Sequence, residues 1–232
     1  MTNKKSFNPG RNISIFFIFF SLLFFSLGLW QIERGQNKQE VLDLFAEGIK
    51  AEPSTLSSQS QKWQRINAKG TLDGTRQIYI DNVVHRGRVG FKVLTPLKID
   101  DEDGVILVDR GWIEKNANIS VLPDISLSQK KIEVSGLLVK PELGFVLSDN
   151  LITASWPKTS QTQSLDYIAK EYKEEIYPFI LVAEPTYDDA LTYMDVIPTN
   201  MPAVKHYGYA LQWFSMFIVL CGMYLYVGFK RR

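Results

Sequence analysis

Cysteine is almost absent from this sequence and histidine nearly so. One Cys and two His among 232 residues exclude an intrachain disulfide, and they are too few N and S donors for a self-contained structural zinc site, which takes four. No G-x-S-x-G, H-E-x-x-H, glycine-rich phosphate loop or C-x-x-C occurs either, so no enzyme is indicated. The adjacent acids Asp100 and Asp101, and Asp188 and Asp189, read as solvated loop residues. The most informative absence is that of negative charge at the two ends. Residues 1–30 and 207–232 contain no Asp or Glu, while Lys4, Lys5, Arg11, Lys230, Arg231 and Arg232 stand at their outer margins. Setting those six cations aside leaves 20 basic against all 25 acidic residues, so the overall charge of +1 hides −5 in residues 31–206. An acidic middle argues against nucleic acid, which binds a basic face.

What fills the ends is apolar. Ile13 to Trp30 is a run of eighteen residues without a formal charge, about 27 Å long as a helix and enough to cross a bilayer. Tyr207 to Phe229 is a second run of 23 residues, with Cys221 inside it and Gln212 its one strongly polar side chain. Ser26, Leu27 and Gly28 imitate a signal-cleavage site poorly, so the first run is expected to remain as a span. Cations flank the cytoplasmic ends of spans, which places both termini in the cytoplasm and the middle outside. The expected organisation has a cytoplasmic tail over 1–12, a transmembrane helix over 13–30, and a helical stalk with a polar loop over 31–61. A periplasmic β-rich domain over 62–206, a second transmembrane helix over 207–229 and a short tail over 230–232 follow. The leader lacks the Arg- and Ser-rich pattern of an organellar transit peptide, which favours a bacterial inner membrane.

Between the runs, Ile32, Val41, Leu42, Leu44 and Phe45 recur at helical spacing until Pro53, so the first helix is expected to continue beyond the span. From Trp63 the texture becomes short β-branched runs such as "QRINAKGTL", "RVGFKVLTPLKI" and "GVILVDRGWI" separated by turn residues. Ile132, Val134 and Leu138 alternate with polar residues, whereas Val105 to Val108 is apolar on both faces and belongs in a central strand. "SLDYIAKEYKEEI" predicts an amphipathic helix capped by Ser164, with Leu165, Ile168, Ala169, Tyr172 and Ile176 on one stripe. The expected fold is a membrane protein with two transmembrane helices flanking an α+β external domain of predominantly antiparallel β, folded as a sheet or partial barrel.

In "VDRGWI", residues 108–113, two readings stand. Gly111 relaxes a bulge or strand end while Trp112 packs on the sheet, or Arg110 and Trp112 present a cation and an aromatic anchor to a partner. His85 stands alone in a turn beside Arg86 and Gly87. His206, four residues after Pro202, is open to three readings: metal ligand, interfacial anchor or helix-end residue.

The order of motifs resembles the surfeit-locus family of cytochrome c oxidase assembly factors over nearly the whole chain. The resemblance rests on "LWQIERGQNK", where Trp30, Gln31, Arg34 and Lys38 fall at the family's spacing, on "TPL" at 95–97 followed by "DGVILVDRGWI", and on "HYGYALQWF" opening the second apolar run. Val204 and Lys205 depart from the asparagine pair usual in the family. The resemblance implies a chaperone that matures the haem a and copper-containing catalytic subunit of a respiratory terminal oxidase. It further implies contact with that subunit and with haem a synthesis or copper-insertion factors, and His206 as the suspected haem a ligand.

Imidazole is a standard axial ligand of haem iron. Tyr209, Ala210, Trp213 and Phe217 would follow His206 on one helix face as an aromatic wall, with Arg34 and Lys38 available to propionates. Small residues recur every seven positions, Ser21 and Gly28 in the first run and Gly208, Ser215 and Gly222 in the second, which suits close helix packing. On a continuous helix His206 lies about 160° from Gly208. If that stripe faces the first span, the histidine turns away from it, toward a client or lipid. A two-span sensor with an external ligand-binding domain is the alternative, its weakness being tails of about twelve and three residues.

Overall fold

In the computed structural model, residues 7–100, 104–116, 122–125, 127, 129–141, 152–172 and 174–230 are described; Lys4, Lys5, Asp101, Arg231 and Arg232 lie outside them. The chain forms two compact units, one of residues 1–44 with 197–232 and one of residues 45–196.

In the first unit, helix α1 (Arg11–Lys50) and helix α3 (Ala203–Lys230) run antiparallel. Their apolar stretches, with mean hydropathy 2.3 and 1.7, are long and apolar enough to cross a membrane. The contacts follow a spacing of three and four residues. On α1 they use Ser14, Phe17, Ser21, Phe24 and Phe25, Gly28, Gln31 and Gly35; on α3 they use His206 and Tyr207, Ala210, Trp213 and Phe214, Phe217 and Tyr224. Tyr224 stacks on Phe17 at 4.0 Å and its hydroxyl lies 2.9 Å from Ser14 Oγ. A β-carbon on Gly28 would stand 2.7 Å from the Phe214 ring, and one on Gly35 2.5 Å from the Tyr207 ring.

The small-residue expectation therefore holds for α1 and fails for α3. Ser21, Gly28 and Gly35 are buried, but Gly208 and Gly222 have no atom within 4 Å of a β-carbon position and Ser215 is exposed. Aromatic rings of α3 fill the notches of α1, so its seam lies one or two residues off the glycine stripe. A notch needs a knob opposite it, not a second notch.

In the second unit the expectation of antiparallel β meets a mixed eight-stranded sheet. Its strands are β1 (Ser54–Thr55), β2 (Arg65–Leu72), β3 (Ile78–His85), β4 (Arg88–Ile99), β5 (Val105–Glu114), β6 (Lys130–Val139), β7 (Lys158–Ser160) and β8 (Ile176–Ala183). Following the pairings β2–β6–β8–β5–β4 and back to β2 closes a ring. The length of β4 makes closure possible: its first part pairs with β3 and its last residues, Leu97 to Ile99, pair with β2. Three pairs are parallel, β1–β2, β3–β7 and β5–β8. The last arises because β8 inserts between β5 and β6 after a long excursion, the kind of crossover that a parallel neighbour requires.

Strand alternation divides Ile106 to Val108 of β5 between two of the three core clusters among the described residues. Ile106 and Val108 point into one cluster with Ile66, Leu72, Leu97, Leu138 and Leu181, while Leu107 points into the other with Ile78, Leu94 and Ile180. This is why Val105 to Val108 is apolar on both faces, as a strand flanked by β4 and β8 must be. The second cluster is covered by helix α2 (Leu165–Ile168), a single turn continued as a 3-10 turn over Ala169–Glu171. The helix expected up to Ile176 is cut short because the sheet claims its later residues. Tyr172 is buried with its hydroxyl donating to Arg76 O at 2.9 Å, and Ile176 opens β8 opposite Val105. Ser164 makes no capping hydrogen bond.

Candidate functional site

The "VDRGWI" segment is built into the sheet. Opposite Lys92 and Leu94 of β4, β5 spends one residue too many between Trp112 and Asp109, a bulge. Gly111 takes φ +111° there, and a β-carbon would stand 2.6 Å from Thr192 O; only glycine fits without strain. Asp109 turns back to accept from the Gly111 amide at 3.0 Å and pairs with Lys92 at 3.0 Å.

Arg110, 4 % exposed, donates from Nε to Asp189 O at 3.0 Å and from Nη1 to Gln77 Oε1 at 2.8 Å. Gln77 in turn accepts from Thr95 and donates to Gly74 O. Burial pushes the guanidinium below its ordinary pKa, opposed by the nearby Tyr187 and Asp189. Trp112, 6 % exposed, donates its indole N–H to Val83 O at 2.9 Å. Both side chains expected to meet a partner are thus turned inward, which is the first of the two readings of this motif. Gln77, which ties Arg110 to Thr95, carries no signal in the sequence.

His85 ends β3 before a two-residue hairpin turn in which Arg86 and Gly87 both have positive φ. Its ring leans on Trp112 at 5.3 Å.

His206 occupies the first turn of α3, which begins at Ala203, so the helix starts four residues before the expected span. Its Nδ1 lies 2.8 Å from Gln31 Oε1 of α1, the ring is 9 % exposed, and Nε2 is buried with no hydrogen-bond partner among the described residues. The expectation that this histidine turns away from the first helix is overturned. It does lie opposite Gly208, but Gly208 faces open space and His206 faces the seam. Nor do the four residues beyond it form one wall. Ala210 is buried, Trp213 and Phe217 pack on Phe24 and Phe25, and Tyr209 is 45 % exposed.

On α1, Arg34 and Lys38 follow Gln31 at one and two turns. Arg34 is exposed with its guanidinium 5.9 Å from the Trp30 ring, and neither cation has an ion pair among the described residues. The arrangement is an imidazole with one nitrogen held and one unmet among the described residues. Among the described residues no group of three or more His, Cys, Asp or Glu is placed to hold a metal ion.

Comparison with known proteins gives a consistent result. Residues 18–218 match the model of the SURF1 family. A SURF1-like protein of Rickettsia prowazekii (strain Madrid E) is 25 % identical over 209 residues, covering 86 % of this chain and 83 % of the relative. One from Rickettsia conorii (strain ATCC VR-613 / Malish 7) is 25 % identical over 230 residues, covering 93 % and 90 %. Surfeit locus protein 1 of Takifugu rubripes is 29 % identical over 111 residues, covering 39 % of this chain and only 46 % of that protein.

Proposed function

This chain belongs to the SURF1 family, known generally as cytochrome oxidase assembly factors, and from that premise we propose that it holds haem a and hands it to the catalytic subunit of a terminal oxidase. The carrying observation is His206 Nε2, a buried imidazole nitrogen whose bonding capacity nothing in the helix pair meets. Buried polar atoms are rarely left so without a reason, and a neutral imidazole nitrogen suits haem iron. Arg34 and Lys38, along the same side of α1, supply charge for two propionates. Because Nε2 is buried, an iron would reach it only once the side chains over it had moved. His206 grips the cargo and does no bond-breaking chemistry.

We place α1 and α3 across a bacterial inner membrane. Support comes from exposure: only 11 % and 6 % of their apolar stretches are buried, which leaves a surface that water would penalise and lipid would accept. The acid-free, cation-tipped ends favour both termini in the cytoplasm and the sheet unit in the periplasm. The client is the membrane-embedded catalytic subunit, with haem a synthesis or copper-insertion factors as neighbours.

Purified from a host that makes haem a, the full-length protein should carry a haem absorption spectrum, and His206→Ala should lose it. An unchanged spectrum in that variant removes the ligand. Deleting the gene should lower terminal oxidase activity while the subunits are still synthesised; normal activity in a strain without a second homologue removes the assembly role.

A further inference from the structure

We infer that Gln31 is a positioning residue that fixes which nitrogen of His206 carries the proton. A neutral imidazole has one N–H and one lone pair, and the partner of one nitrogen decides the role of the other. Gln31 Oε1 faces Nδ1 at 2.8 Å. A carbonyl oxygen only accepts, so Nδ1 donates and the lone pair is left on Nε2. The surroundings agree. A proton on Nε2 would be a buried donor with nothing to receive it, a rarer and costlier state than an unfilled acceptor. Both halves of the ring therefore favour the same tautomer, the reverse of the one that free imidazole side chains prefer in water.

The two helices are closely packed beside this pair. One turn further along α1, Gly35 receives the ring of Tyr207, the residue after His206, at a distance that admits no β-carbon. This notch fixes α3 against α1 at the level where amide and imidazole meet. A plain fastener between two helices would work equally well through either nitrogen. The bond to Nδ1 leaves free the nitrogen from which a second-shell acceptor would make a stronger metal donor.

The purpose of this arrangement rests on the haem-handing reading above; the tautomer does not. The test uses the full-length protein in detergent micelles with 15N-labelled histidine, the two rings being assigned with His206→Ala. Without haem, wild-type His206 should be protonated on Nδ1, Gln31→Glu should keep that state, and Gln31→Leu should move the proton to Nε2. A wild-type His206 protonated on Nε2 overturns the inference without recourse to any variant, and so does a Gln31→Leu protein whose tautomer is unchanged.

Titration with haem a forms the second arm. Gln31→Leu should bind about 10- to 100-fold more weakly, whereas Gln31→Glu should retain binding with a lower reduction potential, a rescue that loss of packing alone would not give. Equal affinity in wild type and Gln31→Leu overturns the positioning role. If wild type and His206→Ala bind haem a alike, or neither binds it, the haem reading falls while the nitrogen spectra still decide what Gln31 does.

Discussion

Arg110 and His206 are both polar groups taken out of water, yet their surroundings treat them in opposite ways. In the sheet unit, Arg110 spends Nε on a backbone carbonyl and Nη1 on Gln77, and Gln77 passes the contact on to Thr95 and Gly74. In the helix pair, His206 commits one nitrogen to Gln31 and leaves the other empty. A satisfied buried network specifies one arrangement and resists change. A half-satisfied ring leaves one nitrogen outside any such network. The difference teaches that burial alone separates neither group from the other; what differs is how many of the polar atoms are met.

Three substitutions and a pH change press on that contrast. The largest effect is expected at Arg110. Arg110→Met should lower stability by about 3 kcal/mol, because Asp189 O loses its side-chain donor, Gln77 Oε1 keeps only Thr95, and the network that fills this part of the sheet is cut. Thermal melting of the full-length protein in detergent reads this out, and a shift within error would mean that Arg110 is not the keystone of its region.

Next comes Gly35→Ala, whose methyl group would collide with the Tyr207 ring and should cost about 1–3 kcal/mol through overpacking. Gly208→Ala, with open space around it, should instead be neutral or stabilising by up to about 1 kcal/mol. Equal effects at the two glycines, in the same melting assay, would contradict the seam described for the helix pair.

The smallest effect concerns acid. Burial raises the carboxyls of Asp73 and Asp189, but hydrogen bonds from Thr75 and Arg76 to the first, and from Lys130 and Tyr187 to the second, outweigh it and hold both below the ordinary value. A carboxylate with a depressed native pKa stabilises the fold fully above its unfolded value of about 4, and that contribution is lost as pH falls below it. Hydrogen exchange should therefore show the sheet amides losing protection below about pH 4 before the paired stretches of 7–30 and 207–230, which contain no Asp or Glu. Simultaneous loss in both units would break the distinction.

Much of this was legible in the residues. Alternation in β6 and the doubly apolar run in β5 disclose one-sided and two-sided burial because the period of a strand writes its faces into the chain. The insertion of β8 was not legible, since turn residues report local reversals and say nothing of where a returning strand will pair. The short α2 failed for a related reason: Tyr172 and Ile176 satisfy a helical stripe, but distant strands bury them better. At the site, His206 could be singled out by its rarity and position. Its orientation could not be read, because a sevenfold stripe of small residues reads the same whether it meets a partner or open space, and the notches of α1 are filled by Tyr207 and Phe214. Nothing around Gln31 in "LWQIERGQNK" marks its task, since a hydrogen bond across 175 positions leaves no periodic trace.

The late arrival of β8 bears on how the protein is made. Val108 of β5 and Leu138 of β6 are completed only by Leu181 and its neighbours. As the chain leaves the ribosome, some forty residues therefore separate the last early strand from the one that seals the ring. Through that interval two bare edges await a wedge not yet synthesised, so an assembly factor for another protein is itself briefly in need of shelter.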